Sequence, residues 1–184
     1  AELLKLSEAP LPLPAVLTVM RQVLDGAAYA HDRDFVHRDI KPGNVLLDNH
    51  GKVQVARLCD FGLAKCFEEA GLSGMTLTGT FGGSLHYMPR EQVTNYKYVR
   101  PSSDVWSLGA TFYEMLTGKP PRPIGPNEDP VAAVLHADAV PVREVEPGVP
   151  RAMADIVDRA LSAEPEQRFP TAREFLQAIE NTAI

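Results

Sequence analysis

Residues 104 to 118, "DVWSLGATFYEMLTG", leave this chain little freedom in how it folds. Val105, Trp106, Leu108, Ala110, Phe112, Tyr113, Met115 and Leu116 cover nearly every direction of a helical wheel. A helix that is apolar all round has no face to give to water, so it belongs in the middle of its domain. Ser102 or Ser103 is the expected N-cap, and Gly118 followed by Pro120 ends the helix. The rest of the chain must be arranged around that rod.

The material for doing so is mostly helical. After Pro14, which suits a first helical turn because its missing N–H has no partner there anyway, Val16, Met20, Val23, Leu24 and Ala27 recur at three- and four-residue intervals. That period predicts an amphipathic helix to about residue 30. "NVLLD" and "VQVARLC" flank Asn49-His50-Gly51-Lys52 and read as a β-hairpin around a four-residue turn. From about 66 to 88 the sequence is rich in Gly, Ser and Thr and has no period, and so long a loop in a compact domain is usually functional or mobile. The proline-rich stretch 119–130 reads as a surface connection, and 130–138 as a short helix. Ala152/Met153, Ile156/Val157 and Ala160/Leu161 step by four, giving another amphipathic helix. "TARE" is a capping box, with Thr171 as N-cap and Glu174 reaching back, ahead of Phe175, Leu176 and Ile179. The expected class is mainly α with a small β-hairpin region.

At 184 residues one substantial core is expected. A net charge of −6 argues against nucleic acid or an anionic membrane as the main partner, but says nothing against a small anionic ligand. The two cysteines, Cys59 and Cys66, have no metal-ligand spacing and read as reduced thiols of a cytoplasmic protein. Cys59 follows the apolar hairpin positions Val53, Val55 and Leu58 and is expected to be buried and unreactive. With no run of about 18 apolar residues, no membrane contact by this segment is expected. The opening "AELLKLSEAPLPLP" reads like the middle of something, so a fragment is expected, and the full protein can still be membrane-tethered.

The chemistry concentrates in "HRDIKPGN", 37–44, where one acid, two bases, an amide and a histidine share eight positions. Pro42 and Gly43 mark a turn, which puts those polar groups on a loop. An aspartate in a turn is most often a cap or an Asx-turn. For Asp39 that reading leaves Lys41 and Asn44 unexplained. "DFG", 60–62, follows Asn44 by sixteen residues, and the hairpin between them returns the chain to the same end of the sheet.

Together, "HRDIKPGN", "DFG" and "DVWSLG" resemble the catalytic loop, metal-binding motif and central-helix motif of eukaryotic-type protein kinases, in a style similar to bacterial members. The resemblance covers essentially all of residues 1–184, but only the C-terminal lobe of the family's domain. A glycine-rich loop, a strand lysine and a helix glutamate, which belong to the N-lobe, have no counterpart, and that missing lobe is an implied partner. The resemblance implies a kinase-like C-lobe fold, ATP and Mg2+ as cofactors, and protein substrates phosphorylated on Ser or Thr. It gives Asp39 the role of accepting or orienting the hydroxyl proton, and Lys41 that of placing a charge on the transferring phosphate. Asn44 and Asp60 become the Mg2+ ligands, and Leu46 the floor beneath the adenine. Lysine two residues after the aspartate is typical of the serine/threonine branch.

By the same resemblance Arg38 pairs with a phosphate on the long segment, for which Ser73, Thr76, Thr78 and Thr80 are the candidates. His37 is structural and stacks on Phe61 beside Gly62, Glu91 pairs with Arg168, and Asp104 is structural. The family closes its segment with "GTxxYxAPE", and this chain reads "GSLHYMPRE", 83–91. Tyr87 and Glu91 align, and Ser84 keeps a hydroxyl able to bridge Asp39 and Lys41. Arg90 stands where a proline belongs, and the sequence offers no account of it. The alternative function is a pseudokinase-like binding scaffold, which has no need of Asp39, Lys41, Asn44 and Asp60 together.

Overall fold

The computed structural model describes residues 2–4, 9–50, 53–61 and 84–182. Along the chain, strand β1 (Glu2–Leu3) precedes helix α1 (Leu13–His31) and strands β2 (Val45–His50) and β3 (Val53–Leu58). Helices α2 (Arg90–Thr94), α3 (Pro101–Thr117), α4 (Pro130–His136), α5 (Val142–Val145), α6 (Arg151–Ala160) and α7 (Ala172–Glu180) follow. Helix α3 is the axis. From Ser103 to Thr117 every residue except Glu114 is buried, and α1, α5, α6 and α7 pack around it. Gly118, left-handed at φ 71°, ends the helix as expected.

Close packing explains one glycine of α3. A Cβ on Gly109 would lie 2.9 Å from the Ala160 Cβ and 3.4 Å from Leu161, so the missing side chain lets the end of α6 sit against the axis. Strand β3 lies against α1, and the Gln22 side-chain oxygen accepts the Ala56 N–H at 3.0 Å, so the helix satisfies a backbone donor of that strand.

Several expectations need correcting. Arg100, not Ser102 or Ser103, is the N-cap of α3, because Pro101 takes the first helical position that its fixed φ suits. Ser103 instead accepts the Arg100 N–H at 3.4 Å from within the first turn. The hairpin ladder runs as far as Asn49↔Gln54 and His50↔Val53, so the turn is shorter than the four residues expected. β1 pairs antiparallel with β2, Leu3 opposite Leu46, and makes the hairpin a three-stranded sheet. Two residues carry no readable period, which is why β1 was missed, and the single turn of α5 escapes for the same reason. The 119–130 stretch is not wholly a surface connection, since Pro121 and Arg122 are buried. Cys59 is half-buried, because β3 ends at Leu58 and the thiol lies beyond the last ladder pair. Burial, then the neighbouring Asp60 carboxylate, still pushes its thiol pKa up.

Gly109→Ala should lower unfolding free energy by about 1–3 kcal/mol, the cost of overpacking. Gly26→Ala, at a helical position of α1 with nothing within 4 Å, should raise it by about 0.4–1 kcal/mol. Urea denaturation of the two variants checks both signs.

Candidate active site

The loop carrying "HRDIKPGN" is held from below by α3. The Asp104 carboxylate accepts the backbone N–H of His37 at 2.7 Å and that of Arg38 at 2.9 Å. His31, at the end of α1, sets its Nε2 3.0 Å from the same carboxylate, while its Nδ1 accepts the Ala172 N–H at 3.2 Å. With Nδ1 accepting, the ring proton sits on Nε2 and points at Asp104. On the other side, the buried Gln92 amide donates to the Arg38 carbonyl at 2.6 Å. These contacts hold Arg38 at φ 69°, a left-handed conformation unusual for a side-chain-bearing residue.

That fixed backbone presents the polar side chains as one hydrogen-bonded unit. Lys41 Nζ donates to both oxygens of Asp39, at 3.0 and 2.9 Å, and to the Ser84 hydroxyl at 2.9 Å. Asn44 Nδ2 donates to the Asp39 carbonyl at 2.7 Å and to its carboxylate at 2.8 Å. The Asp39 side chain nevertheless stays 41% exposed, so a substrate group can reach it. Ser84 touches Lys41 rather than bridging to Asp39.

The hairpin brings Asp60 to the same end. Val45 pairs with Leu58, and the Cys59 N–H donates to the Asn44 carbonyl at 2.9 Å. Asp60 is exposed and left-handed at φ 63°. His37 ties this corner down: its Nε2–H donates to the Cys59 carbonyl at 2.9 Å, and its ring centroid lies 4.5 Å from that of Phe61. Among the described residues no three His, Cys, Asp or Glu side chains cluster as a metal centre. An amide and an exposed carboxylate at one sheet end are oxygen donors that fit Mg2+, an ion that keeps most of its shell as water and phosphate oxygens. With its amide nitrogen engaged by Asp39, Asn44 retains its side-chain oxygen for that purpose.

Beyond the loop, residues 84–91 are stitched to the helices. Arg168, with a fully buried side chain, grips Glu91 bidentately at 2.6 and 3.2 Å and also donates to the carbonyls of Ser102, Ser162 and Ala163. Burial pushes the Glu91 carboxyl up, but the Arg168 hydrogen bond and charge outweigh it and leave the carboxyl below its usual range. Tyr87 donates its hydroxyl to Glu114, and its carbonyl accepts from Ser107 at 2.7 Å. Burial, then Glu114, drives the Tyr87 phenol well above its ordinary value. Arg90 finds the Ala137 carbonyl at 3.0 Å and Asp138 at 2.8 Å, the partners the sequence could not name.

Leu46 is half-buried in β2, and the Arg38 guanidinium lies 5.0 Å from the Tyr96 ring centroid. Gly62, Ser73, Thr76, Thr78 and Thr80 lie outside the described residues. Sequence reasoning missed Arg122, a buried cation in a stretch without period or motif, where no signal marked it.

With this geometry in hand, likeness to known proteins is informative. The protein kinase domain model matches residues 2–179. The chain therefore belongs to the protein kinase family. It is 34% identical over 176 residues to a Corynebacterium glutamicum protein named serine/threonine-protein kinase PknA, covering 94% of this chain and 34% of that one. It is 36% identical over 179 residues to tyrosine-protein kinase MasK of Myxococcus xanthus, covering 92% of this chain and 26% of that one. The fold matches a crystal structure of Rad53 residues 1–466 in complex with AMP-PNP, with a TM-score of 0.68, 24% identity, and coverage of 92% of this chain and 40% of that one. The chain thus spans about a third of one of those relatives and about a quarter of the other.

With the Arg168 side chain fully buried, replacing Glu91 by Gln should cost about 3–5 kcal/mol, because the guanidinium is stranded. Arg168→Met should cost less, because Glu91 is 24% exposed and keeps the Ser103 hydroxyl. Glu91 titrates below its usual 4.5 in the folded state, so its contribution is complete above that value and fades as pH falls through the lower folded value. Urea unfolding from pH 6 to pH 3 should show that acid loss in the wild type and a weaker one in Glu91→Gln.

Proposed function

We propose that this chain is the catalytic lobe of a serine/threonine protein kinase, transferring the γ-phosphoryl group of ATP to protein hydroxyls. The observation that carries the reading is the Asp39–Lys41–Asn44 unit, hydrogen-bonded throughout yet open to solvent at the carboxylate. A substrate hydroxyl oxygen forms the new bond to the γ-phosphorus, the bond to the β,γ-bridging oxygen breaks, and Asp39 takes the hydroxyl proton. Lys41, already aimed at the same site, balances charge on the transferring group. Bound through Asn44 and Asp60, Mg2+ supplies neutralisation of the phosphate oxygens.

The serine/threonine assignment is supported by Lys41 itself and by its bond to Ser84. That bond brings the start of the 84–91 segment against the proposed reacting centre. In this reading Leu46 floors the adenine. The cover over the nucleotide, and the lysine for its α- and β-phosphates, come from an N-terminal lobe preceding these residues. A cytoplasmic setting for this lobe, where ATP is plentiful, follows from the same reading.

The protein expressed from its whole reading frame should phosphorylate serine- or threonine-containing substrates in a Mg2+-dependent manner, with chelation abolishing transfer. Asp39→Asn and Asp60→Asn should reduce activity to background, and Lys41→Met should lower kcat by about 10²–10³. Nucleotide binding without transfer in the wild type would identify a scaffold instead.

The 184-residue chain alone should give no measurable transfer, since several preorganised groups that act as a unit are then missing. A radiolabelled-ATP assay of the purified chain checks this, and robust phosphorylation by it would remove the need for an added lobe.

A further inference from the structure

Among the described residues Arg122 is a buried cation with no carboxylate at ion-pair distance. It is 2% exposed, and the hydrogen bonds its guanidinium makes to described residues run to backbone carbonyls. One guanidinium nitrogen donates to the Val134 carbonyl of α4 at 2.9 Å and another to the Met88 carbonyl at 2.7 Å. Its own carbonyl accepts the His86 Nδ1–H at 3.0 Å, and its guanidinium lies 4.0 Å from the Trp106 ring centroid on α3. A single residue therefore joins the axial helix, α4 and two positions of the 84–89 segment.

That segment begins where the chemistry is, since Ser84 is bonded to Lys41. Any polypeptide delivering a hydroxyl to Asp39 must lie close to it. At its far end the carbonyls of Tyr87 and Met88 are held by Ser107 and Arg122. We propose that Arg122 is a positioning residue for the protein substrate, bracing His86 and Met88 so that the segment beside the Asp39 unit offers the peptide a fixed surface. The proposal rests on the kinase reading above and goes beyond it by naming what sets peptide affinity. Burial lowers the guanidinium pKa to about 10, with Arg90 and Arg168 adding to the shift, and that cost is consistent with a brace retained for geometry.

The test uses the protein from its whole reading frame and a serine peptide selected from a degenerate library. Arg122→Met keeps the apolar stem but no donors, and should raise the peptide KM about tenfold, as expected for losing charge-assisted hydrogen bonds. The kcat and the KM for ATP should stay within about twofold, because the Asp39 unit has its own support on α3. His86→Asn, whose amide can replace the Nδ1–H, should keep the wild-type peptide KM, whereas His86→Ala should raise it. Amide hydrogen exchange at 85–88 should accelerate in Arg122→Met. A fall in kcat with unchanged peptide KM, or His86→Asn behaving like His86→Ala, would overturn the proposal. Should Arg122→Met not fold, Arg122→Lys carries the test: an intermediate rise in peptide KM supports the brace, and wild-type behaviour overturns it. A wild-type protein that phosphorylates nothing overturns the kinase reading alone. Exchange then still decides the brace, faster in the variant if it holds and unchanged if it does not.

Discussion

The Asp104 carboxylate is the contact on which the site depends. It is 1% exposed and sits in the first turn of α3, where the helix dipole favours a negative charge. Three donors surround it: the backbone N–H groups of His37 and Arg38, and the His31 ring. A buried charge is tolerable only when it is well paired and hydrogen-bonded, and most of the groups pairing it belong to the backbone of the 37–44 loop. Any movement of that loop would leave the charge under-solvated, so electrostatics enforces the loop position. Through His31 and the Ala172 N–H the same network reaches the start of α7. One carboxylate thus ties α1, α3, α7 and the loop to a common frame.

The arginines near the 84–91 segment solve a different problem. Arg168 has a carboxylate, so its burial is compensated by a bidentate pair that also pulls Glu91 below its usual range. Arg122 is compensated by carbonyl dipoles and an aromatic face, a weaker arrangement that leaves its guanidinium easier to deprotonate. Arg90 lies nearer the surface and takes an exposed aspartate, a contact worth little in itself in water. Of the three, Arg168 anchors the end of the segment to the helical core, and Arg122 shapes its middle.

Much of this was legible in the sequence, for identifiable reasons. The all-round apolar pattern of 105–116 announces burial because no other environment accepts it, and α3 is the buried axis. The polar set in 37–44 was legible through its resemblance to the kinase motif, and the structure gathers Asp39, Lys41 and Asn44 into one hydrogen-bonded unit. What stayed hidden depends on tertiary context. The ladder of β1 is too short to have a period, and Pro101 overrode the two serines as the start of α3 because its fixed φ suits the first helical position. Cys59 read as buried from the strand pattern, but the strand stops one residue earlier. Arg90 and Arg122 look like stray surface charges until α4 and its following residues supply carbonyls and an aspartate from more than ten positions away.

That contrast separates two kinds of functional residue. In the proposed reaction Asp39, Lys41, Asn44 and Asp60 present specific atoms to a phosphate and a cation, so few residue types could replace them and a motif results. Arg122 acts on backbone carbonyls, which every residue offers, and it stacks on a ring at 4.0 Å that other groups could cover. Its position is defined by the space between α3, α4 and the segment, not by a neighbouring sequence pattern. Its backbone partners impose no residue type on the positions that bear them. The 37–44 loop is therefore fixed by a buried carboxylate on α3, whereas the 84–89 segment is fixed largely through its backbone carbonyls. The Asp104 frame and the Arg122 brace share no hydrogen bond, but they meet through the helix that carries Trp106. They meet also through the Ser84–Lys41 contact and the Gln92 amide on the Arg38 carbonyl, so loop and segment are held as neighbours in one frame.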